Sequence, residues 1–174
     1  MMITVLRIGH RNGRDVRITT HCCLVSRALG AKECVIGGDE AGEIAASVEK
    51  VVAAWGGAFK CRYEKSWMRF LRNFPGVKVH LTMYGVPLQE KIGAVRRAAK
   101  EKDVLVVIGA ERVPGEVYAE CDFNIAVTNQ PHSEVAALGL FLHELQEGKE
   151  LGAKFSKARV KIVPSERGKK VLTA

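Results

Sequence analysis

Apolar positions along this chain follow two rhythms. Short runs rich in Val and Ile occupy residues 2 to 8, 33 to 36, 77 to 82, 103 to 108 and 122 to 127, the length and composition of strands buried on both faces. Between them apolar residues return every three or four positions, over Thr19 to Leu29, Gly42 to Trp55, Leu88 to Lys100 and Ser133 to Glu147. In the second of these helical stretches Ile44, Val48, Val51, Val52 and Trp55 share one face. Alternating strand and helix predicts an α/β domain with a largely parallel sheet and helices on both faces. Residues 56 to 74 read as a strand followed by a short amphipathic helix, with Tyr63, Trp67, Phe70 and Phe74 assigned to the core in preference to stacked nucleobases. After Gly148 the rhythm changes, and ARVKIVPSERGKKVL reads as two short strands around a turn. We therefore expect one domain over 1–152 and a basic β-hairpin extension of it over 153–174.

Length and composition agree with a single core. At 174 residues, 47% apolar and 26% charged, the chain buries most of its apolar surface without help from disulfides or metals, and neither disorder nor a coiled coil is indicated. VLVVIGA, the long apolar run from Val104, falls far short of a membrane span, and Met1 leads directly into ITVLRIG without a signal peptide, so a cytoplasmic protein is expected. Cys22, Cys23, Cys34, Cys61 and Cys121 form an odd, scattered set without a CxxC pair or zinc-type His spacing, which reads as reduced packing thiols and no metal site.

The charge is uneven. A net +8 arises from 27 Lys and Arg against 19 Asp and Glu. Arg7, His10, Arg11, Arg14 and Arg17 crowd one end, and Lys154, Lys157, Arg159, Lys161, Arg167, Lys169 and Lys170 crowd the other. Two basic clusters around a nearly neutral middle point to a polyanion, with nucleic acid foremost.

For chemistry, the segment TNQPHSEVAALGLFLHEL at 128 to 145 places a polar loop at the start of an apolar-striped helix. Pro131 or Ser133 begins the helix, whose first turn offers free N–H groups to a polar or anionic ligand; a well-capped core helix is the competing reading. GxGxxG after the first strand, GxxxxGK[ST], GxSxG and HExxH are all missing, which disfavours dinucleotide oxidoreductases, P-loop NTPases, α/β-hydrolases and zinc proteases. Three loops at strand carboxyl ends remain, where open α/β sheets bind ligands: LTMYG at 81 to 85, IGAERVPGEVY at 108 to 118 and VTNQPHSE at 127 to 134.

IGAERVPGEVY resembles the second signature of the SPOUT (SpoU and TrmD-like) RNA methyltransferases, and the loop and helix from Asn129 resemble their third. LRIGHRNGRDVRITTH, KVHLTMYG, GAERVP and NQPHSEVAAL, in that order, are similar to the archaeal tRNA methyltransferases that modify the 2'-hydroxyl of cytidine 56 in the TψC loop. The resemblance spans nearly the whole chain. It implies a C-terminal trefoil (α/β) knot, a fold feature that ordinary topology rules disfavour. A homodimer whose active sites use both subunits is implied as well, its apolar face drawing on Ala137, Leu138, Phe141 and Leu142 unless that stripe is core.

By the same resemblance, S-adenosylmethionine contacts Leu81; Gly109, Ala110, Glu111, Arg112 and Val113; and Val127, Thr128, Asn129, Gln130, Pro131, His132, Ser133 and Glu134. The residue types suit this: Gly109 permits close backbone approach, Ala110 leaves space beside it, and Leu81 supplies an apolar wall. Glu111 contacts the ligand or caps the helix after Pro114. The tRNA partner is held by Arg7, His10, Arg11, Arg14 and Arg27.

Catalysis is harder to place, because RITTHCCLVSRALG lacks the Asn that SpoU-type enzymes carry near an Arg, and Glu134 stands where their third signature has Asn. Arg17 and His21 are the candidates to orient or activate the ribose hydroxyl. His21, an imidazole, suits a base, or serves as a hydrogen-bonded helix histidine. A non-catalytic RNA-binding module and a 2'-O-methyltransferase for another RNA site stay open as rivals.

Overall fold

Six parallel strands form the centre of the molecule in the computed structural model, which describes residues 1–109 and 112–173. They are β1 (Ile3–His10), β2 (Glu33–Gly38), β3 (Lys60–Tyr63), β4 (Val77–Pro87), β5 (Val104–Gly109) and β6 (Phe123–Ala126), in the order β3-β2-β1-β5-β4-β6. The helices are α1 (Val16–Ala28), α2 (Gly42–Trp55), α3 (Trp67–Asn73), α4 (Leu88–Ala98), α5 (Gly115–Glu120) and α6 (Glu134–Gln146). A 3-10 turn (Lys149–Gly152) follows, then an antiparallel pair, β7 (Val160–Val163) and β8 (Lys170–Thr173).

Side chains alternate across each strand, so one sheet serves two cores. Ile3, Val5, Val79, Leu81, Val104, Val106 and Ile108 pack on one face under Cys22 and Cys23 of α1, Ile44 and Val48 of α2, Ile92 and Val95 of α4 and Leu138 and Phe141 of α6. Leu6, Ile8, Leu105 and Val107 turn the other way, beneath Leu71 of α3 and Val117 of α5. Trp67, Phe70 and Phe74 pack against this second cluster, as core residues should. Ala137, Leu138, Phe141 and Leu142 are likewise buried within the chain, so the apolar stripe of α6 is core and does not itself form a dimer face.

Two elements differ from their expected bounds. Helix α1 begins at Val16, one turn before Thr19, because the Thr19 N–H already bonds the Asp15 carbonyl at 2.8 Å. Strand β4 continues to Pro87, and Leu81 and Val86 both register with Ile125 of β6. LTMYG is therefore a bulge within a strand, which re-aims the chain without ending the pairing. A Cβ on Gly85 would lie 2.6 Å from the Asn124 carbonyl carbon, so the bulge needs a residue without a side chain.

All five cysteines are free and buried. Burial pushes the Cys22 and Cys121 thiols up to about 12, which keeps them protonated. Among the described residues no cluster of three His, Cys, Asp or Glu suits a metal ion, and no helix is long and apolar enough to cross a membrane. The C-terminal pair is tied down at its base: Arg159 donates from its backbone N–H to Ala54 O at 2.9 Å, Gly57 N–H donates to Ser156 O at 2.8 Å, and the Arg27 guanidinium lies 4.5 Å over Phe155.

Candidate functional site

Beside the β4 bulge and the carboxyl end of β5 opens a cavity of about 520 Å³. Its walls come from the three segments singled out by sequence: the β4 bulge, the end of β5 with the residues after it, and the start of α6. Leu81, Met83, Ile108, Val113 and Ala137 supply apolar surface, while His80, Thr82, Tyr118, Arg112, His132 and Glu134 supply polar groups. An apolar chamber with a few convergent polar atoms is the usual form of a small-molecule site.

Local chemistry fixes the third segment. Ser133 takes an extended conformation and its hydroxyl accepts the Val135 N–H at 3.2 Å, capping α6 so that Glu134 becomes its first residue. Asn129 donates from Nδ2 to Met83 O at 2.8 Å and to Gly85 O at 3.2 Å, which pins this loop to the β4 bulge. His132 donates from Nδ1 to Gln130 O at 2.7 Å.

Glu134 also answers a buried charge. Arg7 of β1 is 0% exposed; its Nη2 lies 3.2 Å from Glu134 Oε1, its Nη1 donates to Ile8 O at 2.6 Å, and its Nε has no hydrogen-bond partner among the described residues. Arg7 is thus an internal strut that holds the first turn of α6 against the sheet, and it cannot grip phosphate. Two other residues assigned to RNA need the same correction. His10 is buried between Thr19 Oγ1 at 2.9 Å and Asn12 Oδ1 at 3.1 Å. Arg27 is buried, donates to Gly56 O at 2.7 Å and stacks on Phe155. All three face internal partners, so their charge or polarity supports the fold.

Arg11 and Arg14 remain accessible. Arg11 holds Asp15 through two bonds of 2.8 and 3.3 Å, and this contact keeps the Asp15 carboxyl below its ordinary range. Arg14 is exposed. Arg17 and His21 are exposed one turn apart on α1, and neither is among the described residues that line the cavity. Of the donor-site residues, Leu81, Gly109, Arg112, Val113, His132 and Glu134 line it. Thr128, Gln130 and Pro131 are exposed, and Val127 is half-buried. Ala110 and Glu111 lie outside the described residues.

Sequence reasoning missed the polar floor. His80 is fully buried, with Nδ1 2.9 Å from Asn124 Oδ1 and its ring edge-on to Tyr118 at 4.7 Å. Asn124 Nδ2 donates to Tyr118 O at 2.9 Å, and the Tyr118 hydroxyl lies 3.0 Å from Thr82 Oγ1. Burial pushes the His80 pKa down, and the Asn124 contact opposes this only in part. The available signal was a histidine set in the strand run VKVHLT.

Known proteins resemble the chain in sequence and in fold. The family model described as tRNA ribose 2'-O-methyltransferase, aTrm56, matches residues 55–172. The chain is 51% identical over 174 residues to the tRNA (cytidine(56)-2'-O)-methyltransferase of Thermococcus kodakarensis, covering 98% of this chain and 97% of that one. It is 50% identical over 173 residues to the protein of the same name from Pyrococcus abyssi, covering 98% and 87%. Among solved structures, an RNA 2'-O ribose methyltransferase superposes with a TM-score of 0.63 at 12% identity, covering 85% of this chain and 57% of that chain. The SpoU methyltransferase AviRb from Streptomyces viridochromogenes, solved with AdoMet, gives 0.57 at 16% identity, covering 87% and 59%. The chain thus spans under two thirds of either solved chain, and these likenesses bear on the fold.

Proposed function

The chain belongs to the aTrm56 family of tRNA ribose 2'-O-methyltransferases, and we propose that it moves a methyl group from S-adenosylmethionine to the 2'-hydroxyl of cytidine 56 in the T-loop of tRNA. The observation that carries this reading is half identity, over nearly the full length, to relatives bearing that name.

The cavity fits the donor chemically. Leu81, Ile108, Val113 and Ala137 offer apolar walls for a nucleoside, and in the lining residue His80 the buried Nε2 has no hydrogen-bond partner among the described residues. When bound, S-adenosylmethionine supplies a sulfonium methyl open to attack. The chain's part is to hold the acceptor hydroxyl in line and take its proton, and alignment alone contributes about 7 to 11 kcal/mol to such reactions. Arg17 and His21 are the residues we assign to the hydroxyl, His21 as base and Arg17 as an orienting cation that keeps its own proton. Neither is among the described residues that line this chain's cavity, which supports a homodimer in which a second copy presents them. Val16 and Leu140, 44% and 54% exposed on the adjacent helices α1 and α6, leave apolar surface for that contact.

Arg11 and Arg14 are assigned to tRNA phosphate, and the basic residues 153–174 extend the domain of residues 1–152. The α/β knot belongs to the same reading, supported by the order β5-β4-β6 and by α6 returning to pack on α1. Action on tRNA suits a cytoplasmic protein. The test is transfer of labelled methyl to an unmodified tRNA transcript, followed by nuclease mapping. Label recovered as 2'-O-methylcytidine from the T-loop is the expected result; label in a base, or in a ribose elsewhere, overturns the assignment.

A further inference from the structure

We infer that Tyr84 is the stacking platform for the acceptor nucleotide: its ring lies against the base whose ribose is methylated and so sets the 2'-hydroxyl toward the cavity. The inference rests on the reaction proposed above and on how the β4 bulge presents this side chain. Tyr84 lines the cavity yet is 79% exposed, so it stands at the rim. Among the described residues its side chain enters no hydrogen bond, ion pair or ring contact. The backbone beneath it is nevertheless fixed. Asn129 Nδ2 donates to the carbonyls on either side, Met83 O at 2.8 Å and Gly85 O at 3.2 Å, while the Tyr84 N–H faces Thr82 Oγ1 at 3.4 Å. Gly85 is pressed against the Asn124 backbone as well. An outward aromatic ring on a pinned main chain is preorganised, so a partner that stacks on it orders little further.

The acceptor's own chemistry says which partner. The 2'-oxygen must reach the methyl group inside the cavity, and its base, carried on the neighbouring ribose carbon, then remains at the rim within reach of Tyr84. Unpaired bases are held on aromatic side chains in this way, with cations tracking the adjoining phosphates. Arg112 and His132 are exposed on the same cavity, and Arg112 brings a permanent cation beside the ring for the flanking phosphate. Glu134, the carboxylate among the lining residues, is answered by Arg7 at 3.2 Å, which limits its repulsion of the nucleic acid. Aromatic ring, cation and donor cavity therefore meet where a single nucleotide has to enter.

Two substitutions separate the ring from its bulk: Tyr84→Leu keeps an apolar side chain, and Tyr84→Phe keeps the ring without the hydroxyl. Methyl-transfer kinetics, S-adenosylhomocysteine calorimetry and sedimentation are measured on each beside the unaltered chain. A tRNA carrying pyrrolo-cytidine at position 56 reports stacking through quenching of its emission. Tyr84→Leu should lower kcat/KM for tRNA roughly five- to a hundred-fold, the range of one lost base–aromatic stack, and Tyr84→Phe should restore it. Emission should fall on binding the unaltered chain or Tyr84→Phe, but not Tyr84→Leu. Undiminished kcat/KM in Tyr84→Leu, quenching that survives in it, or no quenching by an unaltered chain that does methylate cytidine 56 overturns the inference. Weakened S-adenosylhomocysteine binding by Tyr84→Leu would give the ring to the donor, and a change of oligomeric state would give it to a second copy; either also overturns it. Failure of the unaltered chain to methylate cytidine 56 removes the proposed reaction and this inference together.

Discussion

Arg7 carries a full charge into the interior because Glu134, 127 residues further along the chain, meets it there. That separation explains why sequence reading sent Arg7 to the surface: arginine is buried only when paired, and nothing local announces the partner. Removing one member should leave a stranded cation, so Glu134→Ala is expected to lower the unfolding free energy by about 1 to 3 kcal/mol in urea titrations. Replacing both, as Arg7→Met with Glu134→Gln, should restore most of the loss. His80 gives a second test through pH. Its folded pKa lies below the ordinary 6.5, so the unfolded chain takes up the proton first. Stability from the neutral ring is complete above about pH 6.5 and is lost as pH falls through the folded value. Urea titrations from pH 7.5 to 5 should show a decline in the unaltered protein that His80→Phe lacks. Asp15, also depressed, loses its contribution only as pH falls below its ordinary 3.8, outside the range of that titration.

Elements were legible wherever hydrophobic rhythm was strong. Val104–Gly109 and Gly42–Trp55 lie nearly where periodicity puts them, because a doubly buried strand and an amphipathic helix each write their packing into spacing. The continuation of β4 through TMYGVP was not legible, since a bulge interrupts alternation and pairing with β6 is a long-range event. The same bulge hid the floor of the cavity, where a histidine in a strand looks like an ordinary solvent-facing position. Gly85 concentrates this element's requirement for close approach. Gly85→Ala should drive a methyl into the Asn124 backbone and destabilise by about 1 to 3 kcal/mol, with weakened S-adenosylhomocysteine binding measured by calorimetry as its local consequence. If stability and binding both stay unchanged, the β4 bulge has room for a side chain and its close approach to β6 is not what holds the cavity floor.

The whole molecule joins one parallel sheet, two cores and a basic hairpin. Fold class and the convergence of three segments at one end of the sheet could be read from the sequence, because they follow from alternation and topology. The polyanion partner could be read from net charge, yet which cations are available to it could not, as His10 and Arg27 demonstrate. Lys161 and Lys170 on the exposed hairpin are free of that ambiguity about burial. Reversing both, as Lys161→Glu with Lys170→Glu, should weaken tRNA binding and reduce the steepness of its salt dependence by roughly one for each phosphate no longer neutralised. An unchanged slope would confine the tRNA footprint to the rest of the surface. Function at this scale turns on one ribose oxygen in tRNA, the acceptor of the methyl group. The most direct measurement is labelled methyl transfer to a full-length tRNA carrying 2'-deoxycytidine at position 56, beside the same tRNA with cytidine there. Incorporation should vanish with the loss of that single oxygen; incorporation that persists would place the methyl group elsewhere and contradict the proposed reaction.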